Sequence, residues 1–201
     1  MSNCADCWSP SERKMKTLIE KIKAILFYPF IALLIKAGIT ANMVSYFSAI
    51  VGLISVAFLW YDLKISAVLL IISLMIDGVD GSVARATKKN SLKGSVTDCF
   101  CDQATISAST IGFIAIGILD PIIGGFYLVL YPILITFSIL RNIVNSPACY
   151  VLRPRIIVYG TFVLYAFGSI NVLNHVVAIL SAALLFQVVK DFYFLRSKLN
   201  G

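Results

Sequence analysis

The chain has 201 residues, of which 59% are hydrophobic and only 13% are charged, and its mean hydropathy is +0.91. Soluble domains contain roughly 45–50% apolar residues, so this composition excludes a soluble globular protein and predicts an integral membrane protein. The formal net charge of +7 is explained by basic residues that flank membrane segments, and no nucleic-acid partner is expected.

The amino-terminal part is predicted to lie outside the membrane-spanning core. Residues 1–11 are polar and are expected to form a flexible tail, and their Cys4 and Cys7 lack the second cysteine pair that would indicate a zinc site. Over 12–37, basic residues alternate with leucine and isoleucine, which predicts an amphipathic helix in the membrane interface. A first full span is disfavoured, because the apolar stretch is shorter than the ~20 residues that crossing requires.

Six apolar segments of spanning length follow, separated by short polar breaks, at 41–61, 65–86, 95–118, 122–143, 156–173 and 175–195. Backbone groups in lipid must find their hydrogen bonds within the segment, so each is predicted to be a helix. The expected fold is therefore an all-α integral membrane protein, in which residues 38–201 form one domain of six transmembrane helices. Of the 17 lysines and arginines, only Lys64 falls outside if the amino terminus is cytoplasmic.

Four of the ten acidic residues lie in or beside the second and third predicted spans, namely Asp77, Asp80, Asp98 and Asp102. Within each pair the spacing is three or four residues, so on a helix both carboxylates share one face. Carboxylates in hydrocarbon are unfavourable and mark functional sites, and four together repel one another unless a cation neutralises them. Ligation by oxygen alone favours Mg²⁺ or Mn²⁺.

The same stretch contains the pattern D-x2-D-G-x2-A-R-x8-G-x3-D-x3-D without a departure. This pattern is the signature of the CDP-alcohol phosphotransferase family (CDP-alcohol phosphatidyltransferases), and the chain resembles a member. The resemblance implies a homodimer that transfers a phosphatidyl group from a CDP-linked lipid, CDP-diacylglycerol, to the hydroxyl of a small polar alcohol and releases CMP. It also implies two divalent metal ions, Mg²⁺ or Mn²⁺, per active site.

The resemblance assigns roles to the matching residues. Asp77 and Asp98 would bridge the two metals, Asp80 would complete one of them, and Asp102 would contact the other and serve as general base. The residues expected to bind the donor are Asn42, Ser45, Gly81, Ala84, Arg85, Ser91 and Gly94. Asn42 and Ser45 stand in a segment similar to the family's Pro-Asn-x-x-Thr, with Ala41 in place of proline. Other roles stay open: a helix cap for Asn42, helix packing for Gly81 and Ala84.

Basic residues near the ends of the last three spans are predicted to bind the acceptor, namely Arg141, Arg153, Arg155 and Lys190. Arginines near a metal site favour an acceptor with its own phosphate, although they are also explained by membrane topology. Arg153-Pro154-Arg155 is similar to the Arg-Pro-x-Arg of the inositol-phosphate branch but one residue shorter. Inositol phosphate is therefore expected ahead of glycerol 3-phosphate, with unphosphorylated serine or inositol as the alternative.

A function from another class is a cation-coupled multipass transporter, which also places carboxylates in the membrane. That reading explains the aspartates but not Gly81, Ala84, Arg85 and Gly94 at their fixed spacing. The enzyme is the favoured interpretation.

Overall fold

The computed structural model describes residues 28–87, 92–144, 146 and 151–199. These residues form helices and no strands, so the all-α prediction is confirmed for the part of the chain that is described. The helices are α1 (Tyr28–Lys36), α2 (Ala41–Phe58), α3 (Leu63–Ala86), α4 (Leu92–Ala115), α5 (Pro121–Ile143), α6 (Arg155–Gly168) and α7 (Leu173–Leu199). Each of the six segments predicted as a span overlaps one helix from α2 to α7.

Three of the described helices are long and apolar enough to cross a membrane, at Ala41–Phe58, Pro121–Ile143 and Leu173–Lys198. Together with the composition they fit an integral membrane protein, while the count of six spans stays a prediction. The fifth predicted segment, 156–173, is shorter than expected because α6 ends at Gly168. Ser169 still donates its N–H to Tyr165 O as in a helix, but its left-handed conformation (φ 55°) stops the helix.

The predicted interfacial helix over 12–37 is described only from Tyr28, where α1 begins; its earlier part and the tail 1–11 lie outside the described residues. After α1, the N–H of Ile39 bonds Leu34 O at 3.0 Å across Gly38. Gly38 has a φ of +72°, a conformation that favours glycine, so it ends α1 and lets the chain turn toward α2.

The chain divides between Ser109 and Thr110 into two compact units. In the N-terminal unit, α2 packs along α3 through small residues. Ser48 Oγ donates to Ser73 O at 2.9 Å and Ser73 Oγ donates back to Ser48 O at 2.8 Å. Ser55 and Ser66 exchange the same pair of bonds at 3.0 and 2.8 Å. Small hydroxyl side chains let helices approach closely in lipid and join them, so the pairs set the register of α3 on α2.

At Gly52, α2 lies very close to its neighbours in the N-terminal unit. A Cβ atom added there would lie 2.9 Å from Ser73 Oγ and would also overlap the methyl group of Thr105 on α4. Glycine therefore permits the close packing of α2 against its neighbours at this level. At this level α2 lies against Ser73 of α3 and Thr105 of α4, the two helices that carry the acidic residues.

In the C-terminal unit, α5 packs along α7 around a core of fully buried leucines, including Leu134 and Leu184. The rings of Phe113 and Phe162 lie 4.5 Å apart between centroids. At one end of this unit, the Asp120 carboxylate caps α5 by accepting from Ile122 N. The single domain predicted over 38–201 stays a prediction.

Candidate metal centre

Three of the four predicted aspartates converge in the N-terminal unit. Asp77 on α3 and Asp98 and Asp102 on α4 each place a carboxylate oxygen within 4.8 Å of the other two, and all three residues are half-buried. The four-residue spacing on α4 turns both of its carboxylates toward α3, as the helical period predicts. A set of hard, anionic oxygen donors at this separation fits a divalent cation of the Mg²⁺ or Mn²⁺ kind.

Asp80, the fourth predicted ligand, lies on α3 and is hydrogen-bonded to a residue of α2. The Asp80 side chain is buried, and Ser45 Oγ donates a hydrogen bond to its Oδ2 at 2.6 Å. Ser45 is itself only 3% exposed, so this charge-assisted bond is shielded from water. Asp80 lies one turn from Asp77 on α3, and the bond fixes the direction of its carboxylate.

A cavity of about 410 Å³ lies at the junction of α1 and α2 and at the end of α3. Its lining residues are Ile35, Gly38, Ile39, Thr40, Ala41, Asn42 and Thr87. A volume of this size suits a small ligand. Asn42, predicted to bind the donor, lines the cavity, and the alternative role of helix cap belongs to Thr40, whose side chain accepts from Met43 N.

The remaining residues predicted for donor binding are only partly placed. Gly94 is half-buried and lies one turn before Asp98 on α4. Gly81, Ala84 and Arg85 belong to α3, and their side chains are not among those described. Ser91 lies outside the described residues. Their donor-binding roles stay predictions.

The basic residues predicted for the acceptor all belong to the C-terminal unit. Arg141, near the end of α5, forms a buried ion pair with Asp191 on α7, with Nη1 and Oδ1 2.5 Å apart. Arg155 is buried at the start of α6, with its Cζ 5.7 Å from the ring centroid of Tyr159. Arg153 is half-buried, whereas Lys190 is exposed on α7.

Sequence reasoning missed Asp191. It is a carboxylate inside the last predicted span, and this is the signal that identified the other four aspartates. It has no acidic neighbour at a helical spacing, so no motif drew attention to it. Its partner Arg141 lies 50 residues earlier in the chain.

A family model described as CDP-alcohol phosphatidyltransferase matches residues 38–190. No curated protein gives a significant match to the sequence. The fold is similar to that of phosphatidylinositol phosphate synthase PgsA1 from Mycobacterium tuberculosis. In complex with manganese and citrate, that protein superposes with a TM-score of 0.71 at 20% identity, covering 83% of this chain and 87% of the synthase. With CDP-DAG bound, the TM-score is 0.69 at 19% identity, with coverages of 83% and 92%.

Proposed function

Because the chain belongs to the CDP-alcohol phosphatidyltransferase family, we propose that it transfers a phosphatidyl group from CDP-diacylglycerol to a phosphorylated alcohol. Family membership makes it a transferase of substituted phosphate groups. The observation that carries the proposal is the convergence of Asp77, Asp98 and Asp102 within 4.8 Å. The fold shared with a phosphatidylinositol phosphate synthase that binds CDP-DAG supports this choice of donor and the inositol-phosphate branch.

The proposed cofactor is a pair of divalent ions, Mg²⁺ or Mn²⁺, held by the four aspartates. The three convergent carboxylates offer oxygens that two ions can share, and Asp80 offers one more beside Asp77. The manganese complex of the M. tuberculosis synthase supports a divalent ion in this fold. When bound, such ions neutralise the charge on the attacking and leaving oxygens of a phosphoryl transfer.

The proposed reaction moves one proton and one phosphoryl bond. Asp102 accepts the proton of the acceptor hydroxyl, and the acceptor oxygen then bonds to the phosphorus that carries the lipid. The bond between that phosphorus and the CMP oxygen breaks, and CMP leaves. Phosphoryl transfer depends chiefly on positioning and charge neutralisation, which suits a cluster of carboxylates. The donor is proposed to lie against Asn42, Ser45, Gly81, Ala84, Arg85, Ser91 and Gly94.

The proposed acceptor carries its own phosphate, with inositol phosphate ahead of glycerol 3-phosphate. Arg153 and Arg155, with Lys190, are the proposed phosphate ligands, because guanidinium groups bind phosphate through paired hydrogen bonds. Inositol phosphate and glycerol 3-phosphate both carry a phosphate that a guanidinium group can bind through two hydrogen bonds, a group that serine and free inositol lack. Arg155 is only 6% exposed at the start of α6.

An acceptor panel tests the proposed function directly. Purified protein with CDP-diacylglycerol should release CMP with inositol phosphate only when Mg²⁺ or Mn²⁺ is present, and chelation should abolish the release. Arg155→Ala should raise the KM for the phosphorylated acceptor by about tenfold or more, the loss expected for a hydrogen bond to a charged group. Arg196→Ala, on the exposed surface of α7, is the matched control. Efficient transfer to serine or free inositol, unaffected by Arg155→Ala, would refute the phosphorylated acceptor.

The bond between Ser45 and Asp80 predicts a further effect on the metal. Ser45→Ala should raise the Mg²⁺ concentration that gives half-maximal activity by about tenfold, because groups that orient metal ligands tune metal affinity by this order. Ser55→Ala is a matched control, since it removes a buried hydroxyl from the same helix far from the aspartates. An equal metal requirement in both variants would show that the bond does not orient a ligand.

The active site is proposed to face the cytoplasm, and the protein is proposed to act as a homodimer. The excess of basic residues on one side supports the orientation. A cysteine replacing Asn90, between α3 and α4, should be labelled from the cytoplasmic side in a cysteine-depleted background. A cysteine replacing Tyr61, which is 86% exposed between α2 and α3, should be labelled from the other side. Labelling in the reverse pattern would contradict the orientation. The mass of the detergent-solubilised protein tests the dimer, and the mass of a single chain would contradict it.

A further inference from the structure

Arg141, which forms an ion pair with Asp191, also contacts Ser146 and Phe194. Besides the bond to Asp191, Arg141 donates its Nε–H to Ser146 O at 3.1 Å. Its guanidinium carbon lies 3.9 Å from the ring centroid of Phe194 on α7. The Arg141 and Asp191 side chains are 10% and 2% exposed, respectively. The edge of the guanidinium group therefore donates hydrogen bonds to Asp191 and Ser146, and its face lies over the Phe194 ring.

The same face of α7 makes a second contact with the connection between α5 and α6. Gln187, one turn before Asp191, accepts a hydrogen bond from Leu152 N at 3.1 Å. Gln187, Asp191 and Phe194 are spaced by four and three residues, so they form one stripe on α7. Through Arg141 and Gln187, this stripe is linked to Ser146 and to Leu152. Leu152 directly precedes Arg153, so the stripe anchors the segment that leads into the two arginines proposed to bind the acceptor phosphate.

The charges of this cluster indicate what Arg141 does. Arg141 bonds to Oδ1 of Asp191, whereas Oδ2 is buried and makes no hydrogen bond among the described residues. Within the described part of the chain, Arg141 is therefore the residue that balances the Asp191 charge. A guanidinium whose charge is matched by a buried carboxylate attracts a phosphate less strongly than an uncompensated one. Its Nε donor is also already used by Ser146 O. These facts favour a role in holding the chain over direct contact with the acceptor.

We propose that Arg141 and Asp191 are positioning residues. Their ion pair joins the end of α5 to α7 and supports the bonds that Arg141 and Gln187 make to Ser146 and Leu152, and thereby sets the position of Arg153 and Arg155. This inference rests on the proposed function, in which those two arginines bind the acceptor. Of the four basic residues predicted to bind the acceptor, Arg141 would act through the connection. Arg153, Arg155 and Lys190 would contact the acceptor directly.

A double-substitution experiment tests the inference with the full-length enzyme. Arg141→Met leaves the Asp191 carboxylate buried and unpaired, and Asp191→Leu leaves the guanidinium unpaired. Each should raise the KM for inositol phosphate by about tenfold and leave the KM for CDP-diacylglycerol within about twofold. The double variant R141M/D191L should recover the acceptor KM to within about threefold of wild type, because an apolar pair of similar volume can replace a buried ion pair. Arg196→Met on the exposed face of α7 is the control.

Hydrogen exchange at the Leu152 amide gives a readout that does not depend on activity. The amide should exchange about tenfold faster in each single variant than in the wild type, and protection should return in the double variant. If Arg141 binds the acceptor itself, the double variant will stay as impaired in acceptor KM as Arg141→Met, and the inference is overturned. Unchanged KM and unchanged exchange in the single variants would overturn it as well.

Gln187→Met keeps the inference testable if a single charge variant does not fold, because this variant leaves no unpaired buried charge. It should raise the acceptor KM by about threefold and speed exchange at Leu152, and no change in either quantity would overturn the inference. Failure of the proposed function looks different. In that case the wild-type enzyme does not transfer to phosphorylated acceptors, while the exchange pattern of the variants still reports whether the pair holds the connection.

Discussion

Replacing Asp77 or Asp98 by asparagine is expected to lower the rate of CMP release by at least about a thousandfold. Asparagine keeps the size of the side chain but removes the negative charge and one anionic oxygen from the cluster. Loss of a shared ligand forfeits about 4 kcal/mol of charge stabilisation if the bound ions are lost or displaced, and each 1.36 kcal/mol is tenfold in rate. Both residues belong to the convergent set of three, and Asp77 comes from a different helix than Asp98.

The measurement is CMP release from CDP-diacylglycerol over a wide range of Mg²⁺ and Mn²⁺ concentrations. Asp62→Asn is the matched control, because Asp62 lies just before the opposite end of α3 and its carboxylate accepts from Lys64 N at 2.7 Å. Asparagine caps a helix as well as aspartate does, so the control should keep its activity within about twofold. Near-normal turnover of Asp77→Asn or Asp98→Asn at ordinary metal concentrations would remove these aspartates from the metal site.

Asp102→Asn is expected to have the second-largest effect, a fall in turnover of about 10²–10⁴-fold, the usual contribution of a general base. Asparagine cannot accept the proton of the acceptor hydroxyl, whereas the residues proposed to bind the donor are unchanged. The KM for CDP-diacylglycerol should therefore change by less than about threefold.

Asp102 also lies within 4.8 Å of the other two carboxylates, so its two proposed roles have to be separated. A base leaves a deficit in turnover that persists at saturating metal. A residue that is only a ligand leaves a deficit that excess Mg²⁺ repairs. Complete recovery at high Mg²⁺, or a wild-type turnover, would show that another group accepts the proton.

The helices were largely predictable from the sequence, because apolar length and polar breaks are local properties. Every segment predicted as a span coincides with a helix, and the errors lie at the ends. Segment 156–173 is the clearest case. Apolar residues recur after Gly168, at Ile170 and Val172, but the left-handed backbone at Ser169 ends α6 early. Hydropathy carries no information about such a change of backbone conformation.

The grouping of the aspartates was predictable for a similar reason. Spacings of three and four residues place two carboxylates on one helical face whatever the surroundings, and the family pattern identified which aspartates belong together. Three of the four predicted aspartates, Asp77, Asp98 and Asp102, converge within 4.8 Å, while the role of all four as metal ligands stays a prediction. The proposed acceptor site was harder to predict from the sequence, since the basic residues of the last three spans are equally well explained by membrane topology.

The sequence by itself therefore determined the class of the protein, its helices and the residues that can hold a metal, because composition and helical period act over a few neighbouring residues. Only the tertiary structure decided which polar groups meet across helices. Ser45 is 35 residues from Asp80, and Arg141 is 50 residues from Asp191. Whether such side chains meet depends on the rotation and axial shift of one helix against another. Between α2 and α3 those are set by the summed packing of small residues such as Gly52 and the serine pairs, and between α5 and α7 by the packing of buried leucines, which no local pattern specifies.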